Sequence, residues 1–191
     1  RRAQVQAPMT NLDQPRAQRL ILQDFRNHAA LDLAISRPLV ALAGENGAGK
    51  TNVLEALSLF AQGRGLRRAE FADMIRQGAS AFTASLTIGR DLPEHRLGTS
   101  FARGEAGGRG ERLCRIDGAT VPSAGAFAEH VRLVWLTPDL DGLFRGSPGD
   151  RRRFLDRLVL AVGARHAGRV SALGRALRSR NRLLEEGRNG P

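Results

Sequence analysis

Residues Gly44 to Thr51 read GENGAGKT and satisfy the pattern G-x-x-x-x-G-K-[ST]. A continuously apolar run, PLVALAG at 38–44, leads into them, and an amphipathic stretch follows. This order predicts a central strand covered on both faces, a glycine-rich loop and a helix, which is the context that the pattern requires. The sequence therefore predicts an α/β fold built around this loop.

The residue types of this loop suit the binding of phosphate groups. Gly44, Gly47 and Gly49 let the backbone wrap around an anion, so that N–H groups and the N-terminus of the following helix face its oxygens. Lys50 places a mobile positive charge at the β- and γ-phosphates, and the Thr51 hydroxyl is a candidate ligand for Mg²⁺. The predicted nucleotide-binding stretch also contains the other loop residues, Glu45, Asn46 and Ala48.

The charge of the chain indicates a polyanionic partner. The formal net charge is +11 and the isoelectric point is near 11.6, which favours nucleic acid over an acidic membrane surface. The alternative is the basic half of a protein whose other half is acidic. Lys50 is the only lysine, and the other basic residues counted among the 30 lysines and arginines are all arginines. A compact ammonium suits a point contact between phosphates, where a planar guanidinium would be too broad.

The composition also bears on location. The single cysteine, Cys114, cannot form an internal disulfide, and no leader-like segment precedes the first apolar run. Arginines interrupt every apolar run before it reaches the ~20 residues of a membrane helix. We therefore expect a cytoplasmic protein without a membrane partner.

Apolar periodicity outlines the remaining elements. Alternating apolar residues at 19–27 and 30–35 predict a β-hairpin, and residues 81–118 predict a small β-meander. The run VRLVWLTPD at 131–139 predicts another buried strand that ends in a turn. From Pro148 to about Gly187 the pattern is helical, with a break near Gly163.

A nucleotide-hydrolysing site needs an acidic residue at the end of a buried strand to hold Mg²⁺. Asp139 is the candidate, because it follows the run 131–136. Thr137 and Pro138 separate it from that run, which favours a turn residue instead. A self-contained small P-loop NTPase or kinase that uses Asp139 for magnesium stays open as the alternative. A nucleic-acid module that keeps the loop only as a scaffold is a second alternative.

Three blocks resemble the RecF family of ABC/SMC-type ATPases. They are LILQDFRN at 20–27, GENGAGKTNVLEALSLFAQGRGLR at 44–67 and PDLDGLFRGSPGDRRRFLD at 138–156. The third block is the most specific to that family, although Phe144 replaces a small aliphatic residue, and Arg180 with Asn181 also fits. The resemblance implies an ABC-type P-loop ATPase lobe, with a mixed sheet that includes antiparallel strands, followed by the start of a helical second lobe. It adds Arg26 and Asn27 to the residues near the nucleotide.

The resemblance implies ATP and Mg²⁺ as cofactors and an ATP-dependent homodimer. It also implies DNA repair, replication and the SOS response, with binding at gapped DNA and RecO and RecR as partners in loading RecA. Family members place their signature loop and hydrolytic acids in a second half that this chain does not resemble. We therefore expect weak DNA-dependent ATPase activity in the parent protein, none in this chain alone, and no catalytic residue here.

The resemblance also predicts a domain division. Residues 1–18 are expected to be a disordered extension, 19–146 the N-terminal part of the ATPase domain with its meander at about 81–118, and 147–191 a truncated start of helical lobe II.

Overall fold

The computed structural model describes an α/β chain over residues 16–61, 63–89, 94–104, 110–143, 147–162 and 166–188. Its contacts divide the chain into two compact units, Arg1–Val131 and Arg132–Pro191. This division lies earlier than the predicted boundary at 146/147, because residues 132–143 group with the helices that follow them. Most of the predicted extension, residues 1–15, lies outside the described residues.

One antiparallel sheet organises the first unit. Among the described residues it has six strands in the order β2-β1-β3-β4-β5-β6, and each neighbouring pair is antiparallel. The strands are β1 (Arg16–Phe25), β2 (His28–Ala34), β3 (Ala81–Gly89), β4 (His95–Ala102), β5 (Glu111–Ile116) and β6 (Ala119–Val121). The predicted hairpin is β1–β2, with β1 starting three residues earlier than expected, and the predicted meander is β3 to β6.

The alternating pattern of β1 sets which face of the sheet is buried. Leu20 and Leu22 are at most 1% exposed, whereas Ile21 between them is 39% exposed. Helix α1 (Lys50–Ser58) belongs to the same unit and buries Val53 and Ala56. Just beyond its end, Phe60 packs on Phe127 with ring centroids 5.7 Å apart. The core therefore lies on the inner face of the sheet, together with one side of α1.

Two predicted buried strands do not form in the described chain. Residues 38–44 and 131–137 have no strand assignment, and Leu39, Val40 and Leu136 are 88%, 48% and 75% exposed. A continuously apolar run becomes a central strand only where neighbouring strands satisfy its backbone on both sides. The six strands of the sheet pair with one another and leave these two segments without a ladder partner among the described residues.

The second unit contains the helices that the sequence predicted beyond Pro148. A 3₁₀ helix at Pro138–Gly142 is followed by α2 (Pro148–Val162) and α3 (His166–Arg188), which contact each other. Pro148 occupies the first position of α2, where its missing N–H costs nothing. The predicted break near Gly163 falls outside the described residues. No helix in the described part of the chain is both long and apolar enough to cross a membrane.

Substitutions at two neighbouring residues of β1 test which face of the sheet is buried. Leu22→Ala should lower the free energy of unfolding by about 2–5 kcal/mol, because it leaves a cavity in the core. Ile21→Ala, on the outer face of the same strand, should cost about 1 kcal/mol or less. Urea denaturation followed by circular dichroism measures both. Equal losses would contradict the assigned faces of the sheet.

Candidate phosphate-binding site

The glycine-rich loop adopts a backbone that only glycine tolerates well. Gly47 and Gly49 have φ angles of 88° and 93°, in the left-handed region. Gly49 is also packed closely: a Cβ atom there would lie 2.5 Å from His28 Nε2 and 2.7 Å from Asn27 Oδ1. The loop therefore has its shape because glycine both permits the conformation and leaves room for the β1–β2 turn.

The loop ends at the N-terminus of α1 without a side-chain cap. Gly49 is the N-cap residue, and the first turn of α1 contains no acidic residue. The first intrahelical bond runs from Val53 N to Gly49 O over 3.1 Å. The N–H groups of the first turn have no intrahelical acceptor, and the positive end of the helix dipole lies there. An anion is the ligand that matches these groups.

Lys50 brings its positive charge back over the loop. Its Nζ donates to the carbonyl oxygens of Gly44 and Glu45, each at 2.7 Å. Thr51 follows in the first turn of α1 and is exposed. Among the predicted residues, the structure thus gathers the loop glycines, Lys50 and Thr51 around one helix terminus.

The turn between β1 and β2 forms a wall beside the loop. Asn27 Nδ2 donates to Gly47 O over 3.1 Å, and His28 Nε2 lies 3.3 Å from Gly49 O. Asn52 Nδ2, on α1, donates to Asn27 Oδ1 over 2.7 Å. Asn27, which the resemblance places near the nucleotide, therefore lies against the backbone of the loop. Sequence reasoning missed His28 and Asn52, because only the packing of the hairpin against the loop reveals them.

Arg26 lies in the same turn, but its side chain points to a buried carboxylate on α1. Its Nε and Nη2 atoms donate to the two oxygens of Glu55 at 2.9 and 2.8 Å, and Nη1 donates to Asp73 O at 2.8 Å. Glu55 is 0% exposed and also accepts from Arg67 Nη1 at 3.1 Å. One signal for Glu55 was present in the sequence and was not used: it is an acid within the apolar stretch VLEAL, and acids are almost never fully buried unless they are paired.

The other end of α1 is held by a cation from the sheet. Arg112 on β5 donates from Nη2 to Leu59 O over 2.8 Å and stacks its guanidinium 4.6 Å from the centre of the Phe71 ring. A positive charge at a helix C-terminus is favourable. Burial lowers the pKa of Arg112 from its ordinary value. Both ends of the helix that follows the loop are therefore fixed by the hairpin and the sheet.

The alternative magnesium ligand, Asp139, does not follow a strand. It lies in the 3₁₀ helix Pro138–Gly142, after the segment that forms no strand, and it belongs to the second unit. The described residues also contain no group of three or more His, Cys, Asp or Glu side chains that could hold a metal ion. Asp139 thus lacks the strand-end position that the alternative requires.

Comparisons with known proteins agree with this arrangement of fold and loop. A family model described as an AAA domain matches residues 19–93. The DNA replication and repair protein RecF of Rhizobium johnstonii is 48% identical over 174 residues, which cover 91% of this chain and 46% of that protein. RecF of Mesorhizobium japonicum is 49% identical over 171 residues, 88% of this chain and 44% of that protein. The chain spans about half the length of these curated relatives.

Solved structures show the same fold. The recombination mediator protein RecF-ATPrS in the RecFOR pathway matches with a TM-score of 0.79 and 21% identity, over 91% of this chain and 46% of that one. RecF-ATP matches with a TM-score of 0.76 and 21% identity, over 91% and 45%. The curated relatives identify this chain as RecF-like over 91% of its length, as the counterpart of the N-terminal part of those proteins, and the solved structures share its fold.

Proposed function

We propose that this chain supplies the ATP-binding half-site of a DNA replication and repair protein. The observation that carries the proposal is the uncapped N-terminus of α1, with a left-handed glycine loop before it and Lys50 folded over that loop. Residues 44–51 are the proposed nucleotide contacts. The similar solved proteins are described as RecF with ATP and with ATPrS, which supports the same ligand here.

Each loop residue has a role that follows from its position. The N–H groups of the first turn of α1 donate to phosphate oxygens and hold the nucleotide at the helix terminus. Lys50 exchanges its bonds to two neutral carbonyls for stronger, charge-assisted bonds to the β- and γ-phosphates. Thr51 is the proposed ligand for Mg²⁺, which neutralises charge on the same phosphates when it is bound. Asn27 keeps the loop backbone in place from the side.

The hydrolytic step is assigned to other parts of the assembled protein. Among the described residues, no acid follows a strand beside the loop, and Asp139 lies in a 3₁₀ helix of the second unit. We therefore propose that this chain binds ATP without hydrolysing it alone. The rest of a RecF-length protein, in an ATP-dependent homodimer, would complete the site.

The nucleic-acid partner follows from charge and family. A net charge of +11 favours sequence-independent contact with the phosphate backbone, and the curated relatives are named DNA replication and repair proteins. We propose that the whole protein is cytoplasmic, binds DNA at single-strand gaps and acts with RecO and RecR in loading RecA. The description of the solved relatives as members of a RecFOR pathway supports this assignment.

Lys50→Ala tests the nucleotide site. Loss of a charged contact to phosphate should weaken Mg-ATP affinity by about tenfold to a hundredfold. Isothermal titration measures the affinity, and thermal unfolding without nucleotide checks that the variant is folded. Lys50→Arg is the matched variant: it keeps the charge and should still bind poorly, because a guanidinium does not fit the same point contact.

Two outcomes would contradict this account. Unchanged affinity in Lys50→Ala would leave the loop as a scaffold within a nucleic-acid module. Steady ATP or GTP hydrolysis by this chain alone, lost in Asp139→Asn, would identify a self-contained NTPase.

The DNA assignment predicts a steep dependence on salt. Binding of the whole protein to a gapped duplex should weaken more than tenfold between about 50 and 200 mM salt, because neutralising the phosphate backbone releases counterions. Fluorescence anisotropy at saturating Mg-ATP measures this. Nucleotide affinity without DNA, measured over the same range, is the control for a general loss of function. DNA affinity that hardly changes with salt would overturn the electrostatic basis of the assignment.

A further inference from the structure

We propose that Glu55 is a positioning residue for nucleotide binding, which holds the β1–β2 turn against the phosphate-binding loop through Arg26. The inference rests on the proposed nucleotide site and adds a residue that lies outside the GENGAGKT motif. It assigns to Glu55 no contact with the nucleotide itself.

Burial makes the Glu55 pair obligatory. The carboxylate is 0% exposed, and the side chain of Arg26 is only 20% exposed. An ionised carboxylate without a partner is costly away from water, so α1 docks where Arg26 can meet it. The two parallel bonds from Arg26, at 2.9 and 2.8 Å, fix the orientation of both groups.

The turn that carries Arg26 is strained and needs this anchor. Asp24 and Arg26 have φ angles of 49° and 54°, in the left-handed region that non-glycine residues avoid. Such conformations persist only where surrounding contacts determine them. Arg26 has three such contacts: its N–H donates to Met74 O at 2.7 Å, Nη1 donates to Asp73 O, and the remaining guanidinium donors meet Glu55.

A closed ring of polar contacts connects this anchor to the loop. Asn27, the neighbour of Arg26 in the chain, accepts from Asn52 and donates to Gly47 O. Arg67 Nη1 bridges Asn52 Oδ1 at 3.0 Å and Glu55 Oε2 at 3.1 Å, which closes the ring. A shift of Arg26 therefore moves Asn27 relative to the loop backbone.

The loop has little room to absorb such a shift. A Cβ atom at Gly49 would already lie well within contact distance of Asn27 and His28. Glu55→Gln removes the negative charge that two arginines share and provides an amide nitrogen where Arg26 needs an acceptor. The turn keeps its bonds to Met74 O and Asp73 O but loses the paired bonds that hold Arg26 against α1, which loosens the wall beside Gly47 and Gly49.

A double-mutant cycle in the whole protein that contains this chain tests the proposal. Mg-ATP affinity is measured for the wild type, Glu55→Gln, Asn27→Ala and the double variant. We expect losses of about tenfold for Glu55→Gln and about fivefold for Asn27→Ala. The double variant should lose about as much Mg-ATP affinity as Glu55→Gln alone, because both substitutions disrupt the same chain of contacts from α1 through the turn to the loop. A general structural defect would instead multiply the two losses.

Asp32→Asn is the matched control. It makes the same carboxylate-to-amide change at an ion pair with Arg19 in which both side chains are more than half exposed, and it should leave affinity unchanged. Arg26→Lys serves if Glu55→Gln does not fold, since lysine keeps the charge but cannot form the paired bonds. It should show the same non-additivity with Asn27→Ala.

Failure of the inference and failure of the proposed function give different results. A wild type that does not bind Mg-ATP would overturn the nucleotide site itself. The role of Glu55 alone would be overturned if the wild type binds Mg-ATP and Lys50→Ala binds it more weakly, but Glu55→Gln leaves the affinity unchanged. The same conclusion would follow if the losses of affinity in Glu55→Gln and Asn27→Ala multiply in the double variant.

Discussion

The phosphate-binding loop depends on an ion pair that lies outside it. Glu55 on α1 is fully buried, and its two oxygens are held by the guanidinium of Arg26 in the β1–β2 turn. Because a buried carboxylate cannot be left without a partner, this pair sets how the helix lies against the hairpin. The N-terminus of α1, Asn27 and His28 then meet around Gly49. The shape of the loop is therefore a property of the helix and the hairpin together.

Sequence reasoning succeeded where the signal was local. The GENGAGKT pattern predicted a loop followed by a helix, which the structure has at Lys50–Ser58, and alternation predicted the hairpin and the meander, because each depends on neighbours in the chain. It failed at 38–44 and 131–137, whose apolar composition suits a strand but cannot supply the adjacent strands that a ladder needs. An apolar composition shows that a segment can be buried in a sheet, but the segment forms a strand only where neighbouring strands pair with it.

The candidate site, like the fold, was predicted from the sequence only in part. Lys50 and Asn27 both contact carbonyl oxygens of the loop, and the roles at the nucleotide that the motif and the resemblance give them stay predictions. The resemblance places Arg26 near the nucleotide, and the structure shows that its guanidinium is held by Glu55. His28 and Arg112 carried no recognisable sequence signal, because each acts on α1 or its loop from a distant strand or turn.

Hydrogen–deuterium exchange tests most directly whether the loop and the turn act as one unit. In the whole protein, addition of Mg-ATP should slow exchange in residues 44–51 and equally in residues 24–28, because the turn is bound to the loop backbone. The β5–β6 turn at Asp117 and Gly118 contributes nothing to the ring of contacts and should not change. Slower exchange in the loop alone, with residues 24–28 unaffected, would contradict the account.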